Sequence, residues 1–368
     1  MFLSCMARLS FAAGINETET RLICALSSMA AYENDNAVVV RDIISDYGWS
    51  IEPISKESSK ANVTALLISK SFDDGTLVKI LAICGTDDLK DAEIDFRLKP
   101  VPINLSNPSN KEILVHQGFQ DYADVMLDRE FTIQLVREIS RNPAEKLYLT
   151  GHSLGGAVAI ITAAKLLNLG INPSRMEVIT FGAPAVGNQA FVEEYQDRIH
   201  LKRVSMSGDP IKKSLAALGY VHFGEVVKYN PSKAMVEHFP HSMALYLDCA
   251  IRDYYDINAD PSPQSTIVYI LKKNFSEDDF KYIKSVFGEI EYREVDDFDN
   301  YVDAGYQVYY LQAKKIRNDR DSNYRVSLEK IEYDDQGFPI SMQTASMTTA
   351  ELTMLEAVIF AKYNLLNN

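Results

Sequence analysis

The chain has 368 residues, long enough for one large α/β domain and a small second one. Its hydrophobic content of 46% and charged content of 24% are those of an ordinary globular protein. The formal net charge of −14 disfavours a nucleic-acid-binding surface, which needs a basic stripe, and strong adsorption to anionic membrane lipid.

Strand and helix patterns alternate along the first two thirds of the chain. Two apolar strands separated by Asp73-Asp74-Gly75 have the signature of a β-hairpin. Residues 88–111 are polar, contain three prolines and follow no period, which indicates an irregular loop of the kind that forms lids. The predicted helices cover residues 19–32, 38–47, 115–141, 188–195, 242–254 and the run after Ser153, and the predicted strands cover 65–69, 77–84, 146–150, 175–181 and 200–206. This alternation predicts the α/β class, with a mostly parallel sheet covered by helices on both faces.

The pattern changes after Pro261-Ser262-Pro263. We therefore expect two domains, an α/β domain at residues 1–260 and a small α+β domain of unknown role at residues 264–368. The predicted tail elements are strands at 267–271, near 292, at 308–313, at 326–333 and after the turn at 334–337, with helices at 277–287 and 348–365. Asp319–Asn323 matches the first spacings of a calcium loop, but Tyr324 and Lys330 replace its glycine and glutamate. We expect no metal and no cofactor.

Cysteine usage and the N-terminal residues bear on location. The four cysteines are widely separated and form no C-x-x-C pair, so reduced thiols are the default expectation. No apolar run approaches the length of a transmembrane helix. The first basic residue, Arg8, comes too late for the start of a signal peptide. We expect a cytoplasmic protein, and secretion stays an open alternative.

The stretch Tyr148–Ile161 carries the strongest functional signal. Within it, Gly151-His152-Ser153-Leu154-Gly155 lies between a strand pattern and a helix of small residues, which is the signature of a nucleophile elbow. Such a turn holds the Ser153 hydroxyl at the helix N-terminus, where free N–H groups and the helix dipole favour developing negative charge. The alternative is a glycine-rich turn that only packs a helix on a sheet.

A serine hydroxyl becomes a nucleophile when a base, itself oriented by a third group, takes its proton. In a fold with this elbow, the carboxylate and then the histidine follow the serine along the chain. Asp209 follows a strand tip and is the strongest carboxylate candidate, the alternative being a turn aspartate. His241, at the start of a helix, is the best candidate base. His238 is its competitor and His222 a weaker one.

The tetrahedral intermediate needs two N–H donors. One is the backbone of Leu154, the residue after the nucleophile. The other is expected from the loop after the strand at 77–84, where Gly85 and Thr86 stand, and the Thr86 hydroxyl could join it. Removing one such donor costs about 3 kcal/mol in the barrier, so this loop should matter for catalysis.

Five blocks in order resemble the class 3 lipases, the fungal-lipase-like branch of the α/β-hydrolase fold. The blocks are Gly85-Thr86, Val115-His116-Gln117-Gly118-Phe119, Thr150-Gly151-His152-Ser153-Leu154-Gly155-Gly156-Ala157, Thr180-Phe181-Gly182-Ala183-Pro184-Ala185-Val186-Gly187-Asn188 with Phe191, and Asp209-Pro210 with His241 and Tyr246. The resemblance covers roughly residues 20–255 and does not extend to the tail. Cys84 stands where the family usually has an arginine.

Carried onto this chain, the resemblance implies Ser153 as nucleophile, Asp209 as orienting acid and His241 as base. It also implies Thr86 and Leu154 as oxyanion donors. It favours His241 over His238, because the family histidine is followed by a tyrosine at a spacing similar to that of Tyr246.

The resemblance further implies hydrolysis of carboxylic esters, acylglycerol-like or other fatty-acyl esters, through an acyl-enzyme. We expect a small-molecule ester or lipid as the partner, no nucleic acid, and at most transient contact with a lipid interface. Residues 88–99 mix apolar and charged side chains, so an amphipathic lid and a solvated loop both stay open. The alternatives are a phospholipase A or an acyltransferase using the same site, and a hydrolase-fold binding module without catalysis.

Overall fold

The computed structural model describes residues 17–33, 35–85, 99–105, 112–211, 214–230, 240–258, 266–276, 279–280, 283, 291–296, 307–315, 324–334, 336, 339–348, 357–358 and 361–362. These residues divide into two compact units, one at 17–230 and 240–250 and the other from 251 onward. The expected domain boundaries at 1–260 and 264–368 stay a prediction. None of the helices in the described ranges is long and apolar enough to cross a membrane.

The larger unit is built on a seven-stranded sheet. Its elements are α1 (Glu17–Ala30), α2 (Asp35–Asp46), β1 (Ser50–Glu57), β2 (Asn62–Ser71), β3 (Leu77–Ile83), β4 (Pro100–Pro102), β5 (Leu114–His116), α3 (Gln117–Met126), α4 (Arg129–Arg141), β6 (Glu145–His152), α5 (Leu154–Asn168), β7 (Met176–Phe181), α6 (Gln189–Tyr195), β8 (His200–Met206), β9 (Glu225–Tyr229) and α7 (Met243–Asn258), which runs on into the smaller unit. The strand order is β1-β2-β3-β6-β7-β8-β9. Strands β1 to β3 pair antiparallel, and all pairs from β3 to β9 are parallel. The expected mostly parallel sheet is confirmed.

Helices cover both faces of this sheet. Val63, Ala65 and Leu67 of β2 lie in one apolar core with α5, while the alternate residues Leu66 and Ile68 are buried outside that core. Helix α1 contacts β6 and β3 but contributes nothing to the α5 core, which places it on the other face. Successive side chains of a strand point to opposite faces of the sheet, and a sheet between two helical layers buries both sets.

Several features of the larger unit differ from the sequence-based prediction. The helix expected at 115–141 is two helices, because the Asp128 side chain accepts the N–H of Phe131 and so starts α4 anew. Strand β1 was not predicted, since it contains Pro53; within the described sheet it is an edge strand, where proline is tolerated. Strand β9 lies in a stretch expected to be irregular, and its mostly exposed residues leave no apolar pattern to detect.

The smaller unit contains a five-stranded sheet. Its strands are β10 (Thr266–Leu271), β11 (Glu291–Val295), β12 (Gln307–Lys315), β13 (Tyr324–Tyr333) and β14 (Pro339–Thr348), in the order β11-β10-β12-β13-β14. Strand β10 is parallel to both neighbours and the other pairs are antiparallel. The predicted strands of the tail are confirmed. The final helix was predicted to begin at Thr348, which is instead the last residue of β14, and the described residues 357–358 and 361–362 within the predicted range are helical. Most of the helix at 277–287 and the rejected calcium loop at 319–323 lie outside the described residues.

Candidate active site

The candidate site lies where four parallel strands end. Gly85 follows β3, Ser153 follows β6, Gly182 follows β7 and Asp209 follows β8. Because β3, β6, β7 and β8 are adjacent and parallel, their carboxyl ends meet at one edge of the sheet. Open α/β sheets bind ligands outside this edge.

Ser153 has the backbone of a nucleophile elbow. Its φ of 54° and ψ of −123° lie in a region that residues other than glycine rarely adopt. The turn is held by the Ser153 N–H, which donates to the Phe181 carbonyl at 2.9 Å. The Ser153 side chain makes no capping hydrogen bond to α5, although it stands at the N-cap. The strain is therefore not offset by a cap, and the hydroxyl is not engaged with the helix.

Glycines allow the helix after the elbow to pack directly on the strands. A Cβ on Gly155 would lie 2.1 Å from the carbonyl oxygen of Ile83, and a Cβ on Gly151 would lie 2.4 Å from the carbonyl carbon of Gly155. Both contacts are with backbone, so no side chain can move away to make room. The two outer positions of Gly-x-Ser-x-Gly thus have a steric reason in this fold.

A buried histidine–carboxylate pair lies beside the elbow. His241 Nδ1 is 2.8 Å from Asp209 Oδ2, and neither side chain is exposed to solvent. The other carboxylate oxygen, Oδ1, accepts the backbone N–H of Ile211 at 2.8 Å. Since an ionised carboxylate only accepts, the His241 Nδ1 carries its proton toward Asp209 and the ring is held in one tautomer.

Tyr246 is a second donor to Asp209. Its hydroxyl donates to Asp209 Oδ2 at 2.6 Å and accepts the N–H of Met206 at 3.0 Å. Burial, followed by the negative charge of Asp209, raises the pKa of Tyr246 well above its usual range, so the hydroxyl keeps its proton. The sequence marked Tyr246 only by its spacing from His241, and its contact with Asp209 was not predicted.

Gly182 leaves the space that the pair occupies. With φ of 60°, it adopts a left-handed conformation, and a Cβ there would lie 2.8 Å from Asp209 Oδ2 and 2.9 Å from His241 Cε1. The preceding residue, Phe181, accepts the hydrogen bond from Ser153 N. Ser153 and the histidine–carboxylate pair therefore flank the same Phe181–Gly182 peptide.

The other predicted site residues are placed only in part. Leu154 is the first residue of α5, and an N–H in the first turn of a helix has no intrahelical acceptor. Thr86, His238 and the loop residues 88–98 lie outside the described residues, whereas Gly85 before Thr86 is described. Among the described histidines, His241 is the one whose ring contacts Asp209.

The larger unit has the α/β-hydrolase fold. The family model for Lipase (class 3) matches residues 80–218, which include Gly85, the elbow and Asp209. Over this segment, 139 of the 368 residues, the chain is similar to the class 3 lipase family.

Two relatives and one solved structure illustrate the similarity. A lipase of Rhizomucor miehei is 31% identical over 146 residues, 38% of this chain and 39% of that protein. The phospholipase A1 PLIP1 of Arabidopsis thaliana is 26% identical over 162 residues, 42% of this chain and 24% of that protein. A structure of Rhizomucor miehei lipase in complex with its propeptide has a TM-score of 0.48 at 23% identity and covers 59% of this chain and 68% of that one. The chain thus spans less than half the length of these two relatives.

Tyr246→Phe tests the second donor to Asp209. It removes one hydroxyl, leaves the Met206 N–H without this acceptor, and takes away a hydrogen bond that stabilises the Asp209 charge. For the ester hydrolysis that the sequence predicts, we expect kcat/KM for a p-nitrophenyl ester to fall about tenfold, because one charge-assisted hydrogen bond in a buried site contributes about that much. Tyr195→Phe is the matched control, since Tyr195 is also fully buried but lies on α6, and it should keep wild-type kinetics. Equal kinetics for the two variants would show that the contact does not matter.

Proposed function

We propose that this protein is a serine carboxylic-ester hydrolase of the lipase type that works through an acyl-enzyme. Ser153 is the nucleophile, His241 the general base and Asp209 the orienting acid. The observation that carries this proposal is the buried contact of 2.8 Å between His241 and Asp209, beside a serine at φ 54°. The family of residues 80–218 supports the same chemistry.

In this proposal each proton of the reaction has an assigned carrier. With Nδ1–H directed to Asp209, the lone pair of His241 is on Nε2, which takes the proton of Ser153 as the hydroxyl attacks the ester carbonyl. The imidazolium so formed is stabilised by the Asp209 carboxylate, and it returns the proton to the leaving alcohol. A water molecule, which gives a proton to the same base, then attacks the acyl carbon. His241 returns the proton to the Ser153 oxygen as the carboxylic acid leaves. General-base help of this kind contributes roughly 10²–10⁴-fold in rate.

The negative charge that develops on the ester carbonyl oxygen is stabilised at the start of α5. The Leu154 N–H and the dipole of a fifteen-residue helix are directed at the position beyond Ser153. Thr86 is the second donor in this proposal, with its backbone N–H or hydroxyl. Support for that assignment is the position of Gly85 at the carboxyl end of β3, next to the elbow strand.

The proposed substrates are acylglycerol-like or other fatty-acyl esters. The relatives include a lipase and a phospholipase A1, so the ester class has support but the head group stays open. A net charge of −14 favours dissolved or micellar esters over anionic bilayers as the substrate form. A phospholipase A or an acyltransferase with the same residues is the alternative. The cytoplasmic location stays a prediction; Cys24, Cys84 and Cys249 are free thiols, but some relatives are secreted.

Covalent labelling tests the nucleophile. A fluorophosphonate probe should label the wild-type protein at Ser153, and Ser153→Ala should abolish both the label and the turnover of p-nitrophenyl esters. Mass spectrometry of the labelled peptide identifies the residue. A wild-type protein that folds but takes up no probe would support the non-catalytic binding module instead.

A pair of histidine variants tests the base. His241→Ala should reduce kcat by about three orders of magnitude or more, because no other group then takes the Ser153 proton. His238→Ala should keep most of the activity and serves as the matched control. The readout is steady-state kinetics together with a thermal unfolding curve, since His241 is fully buried. The reverse pattern would assign the base to His238.

An acyl-chain series tests the substrate class. Glycerol and p-nitrophenyl esters of increasing chain length, assayed below and above their solubility limits, should be hydrolysed by the wild type and not by Ser153→Ala. A rate jump above the solubility limit is expected if residues 88–99 act as an interfacial lid. Activity without such a jump assigns the protein to the esterases, and release of lysophospholipid or of a transacylated alcohol assigns it to the alternatives.

A further inference from the structure

A tyrosine and a histidine outside the proposed triad join three parts of the site. His152 lies inside the elbow, and its Nε2 is 2.8 Å from the backbone carbonyl oxygen of His241. Its Nδ1 is 2.5 Å from the hydroxyl of Tyr32, a residue 120 positions earlier that follows α1. Both ring nitrogens of His152 are therefore hydrogen-bonded, and the rings of His152 and His241 lie 4.5 Å apart.

The partners determine the tautomer of His152. A backbone carbonyl only accepts, so His152 Nε2 carries the hydrogen and donates it to His241. Nδ1 is then the unprotonated nitrogen and accepts from the Tyr32 hydroxyl. Complete burial, followed by the nearby His241 ring, lowers the pKa of His152 well below its usual range, so the ring stays neutral. The direction of both hydrogen bonds is thus defined.

The Tyr32 hydroxyl also packs against the proposed oxyanion loop. A Cβ on Gly85 would lie 2.3 Å from Tyr32 Oη and 2.7 Å from the His152 carbonyl oxygen, so this close approach requires glycine. The position of Tyr32 is fixed from the other side, because Arg41 of α2 donates to the carbonyl oxygens of Ala30 and Tyr32 at 2.8 and 2.7 Å. A fixed hydroxyl therefore lies between Gly85 and the elbow.

We propose that Tyr32 and His152 are positioning residues for the base His241. The chain of hydrogen bonds from Tyr32 through His152 holds the His241 carbonyl, and with it the ring that contacts Asp209. This inference rests on the proposed ester hydrolysis and adds two residues that touch neither Ser153's substrate nor the transferred proton. Small displacements of a catalytic group are costly, since proton transfer needs atoms within hydrogen-bonding distance in the transition state.

The role predicts effects on turnover rather than on substrate binding. Tyr32→Phe removes a single oxygen and should lower kcat for a p-nitrophenyl ester about tenfold with KM changed less than about twofold. His152→Leu removes the donor to His241 and should lower kcat about a hundredfold. His152→Gln keeps an amide donor at the position of Nε2 and should stay within about fivefold of wild type.

A double-mutant cycle separates positioning from general stability. If Tyr32 acts through His152, Tyr32→Phe costs no further activity in the His152→Leu background, and the two effects on kcat are strongly non-additive. Thermal unfolding of each variant gives the parallel cycle for stability. Tyr195→Phe, which removes another buried hydroxyl, should leave kcat unchanged.

The outcomes are distinct. A wild-type enzyme that labels at Ser153 and hydrolyses esters, but whose Tyr32→Phe variant matches it in kcat, overturns the positioning role and leaves the proposed function intact. Additive losses, or no recovery with His152→Gln, also overturn it. If the wild-type protein neither takes up the fluorophosphonate probe nor hydrolyses esters, the proposed function itself is wrong. If His152→Leu does not fold, the positioning role is still tested by comparing kcat of Tyr32→Phe, which removes one oxygen, with kcat of the control Tyr195→Phe.

Discussion

The buried carboxylate of Asp209 is the group on which the arrangement of the site depends. A carboxylate removed from water is costly unless its oxygens receive hydrogen bonds, and three donors supply them here. Ile211 N–H comes from the loop itself, while His241 and Tyr246 come from the start of α7 and the residues before it. The same requirement therefore fixes the histidine, the helix that follows it and the end of β8.

Close backbone approach is the second requirement, and it explains the glycines. Gly151 and Gly155 let α5 lie against the ends of β3 and β6, which holds Ser153 at a positive φ. Gly182 provides the space in which Asp209 and His241 meet. Each glycine faces backbone or a buried polar side chain. Substitution would therefore displace the site rather than a flexible neighbour.

The sequence predicted what is encoded locally and missed what depends on distant contacts. The elbow was predictable because strand, turn and helix are adjacent. The order of the site residues pointed to Asp209 but left three histidines, and the resemblance to the class 3 lipases favoured His241 among them. Strand β9 was not predicted because its mostly exposed residues show no apolar pattern. The break at Asp128 was not predicted because the helical period continues across the cap that interrupts the helix. The partnership of Tyr32 with His152 spans 120 residues, and no spacing rule indicates it. Thr86 and His238 stay sequence-based predictions.

The contacts of the site extend beyond the segment that carries the family match. That segment, 80–218, holds Ser153, Asp209 and His152. The partners of these residues lie on either side of it: Tyr32 after α1, and His241 and Tyr246 near the start of α7. Asp209 would lose two of its three donors without Tyr246 of α7 and His241 just before it, and His152 would lose both of its partners without Tyr32 and the His241 backbone. The chemistry suggested by the elbow thus depends on a residue that follows α1, more than a hundred residues earlier, and on residues at the start of α7 and just before it.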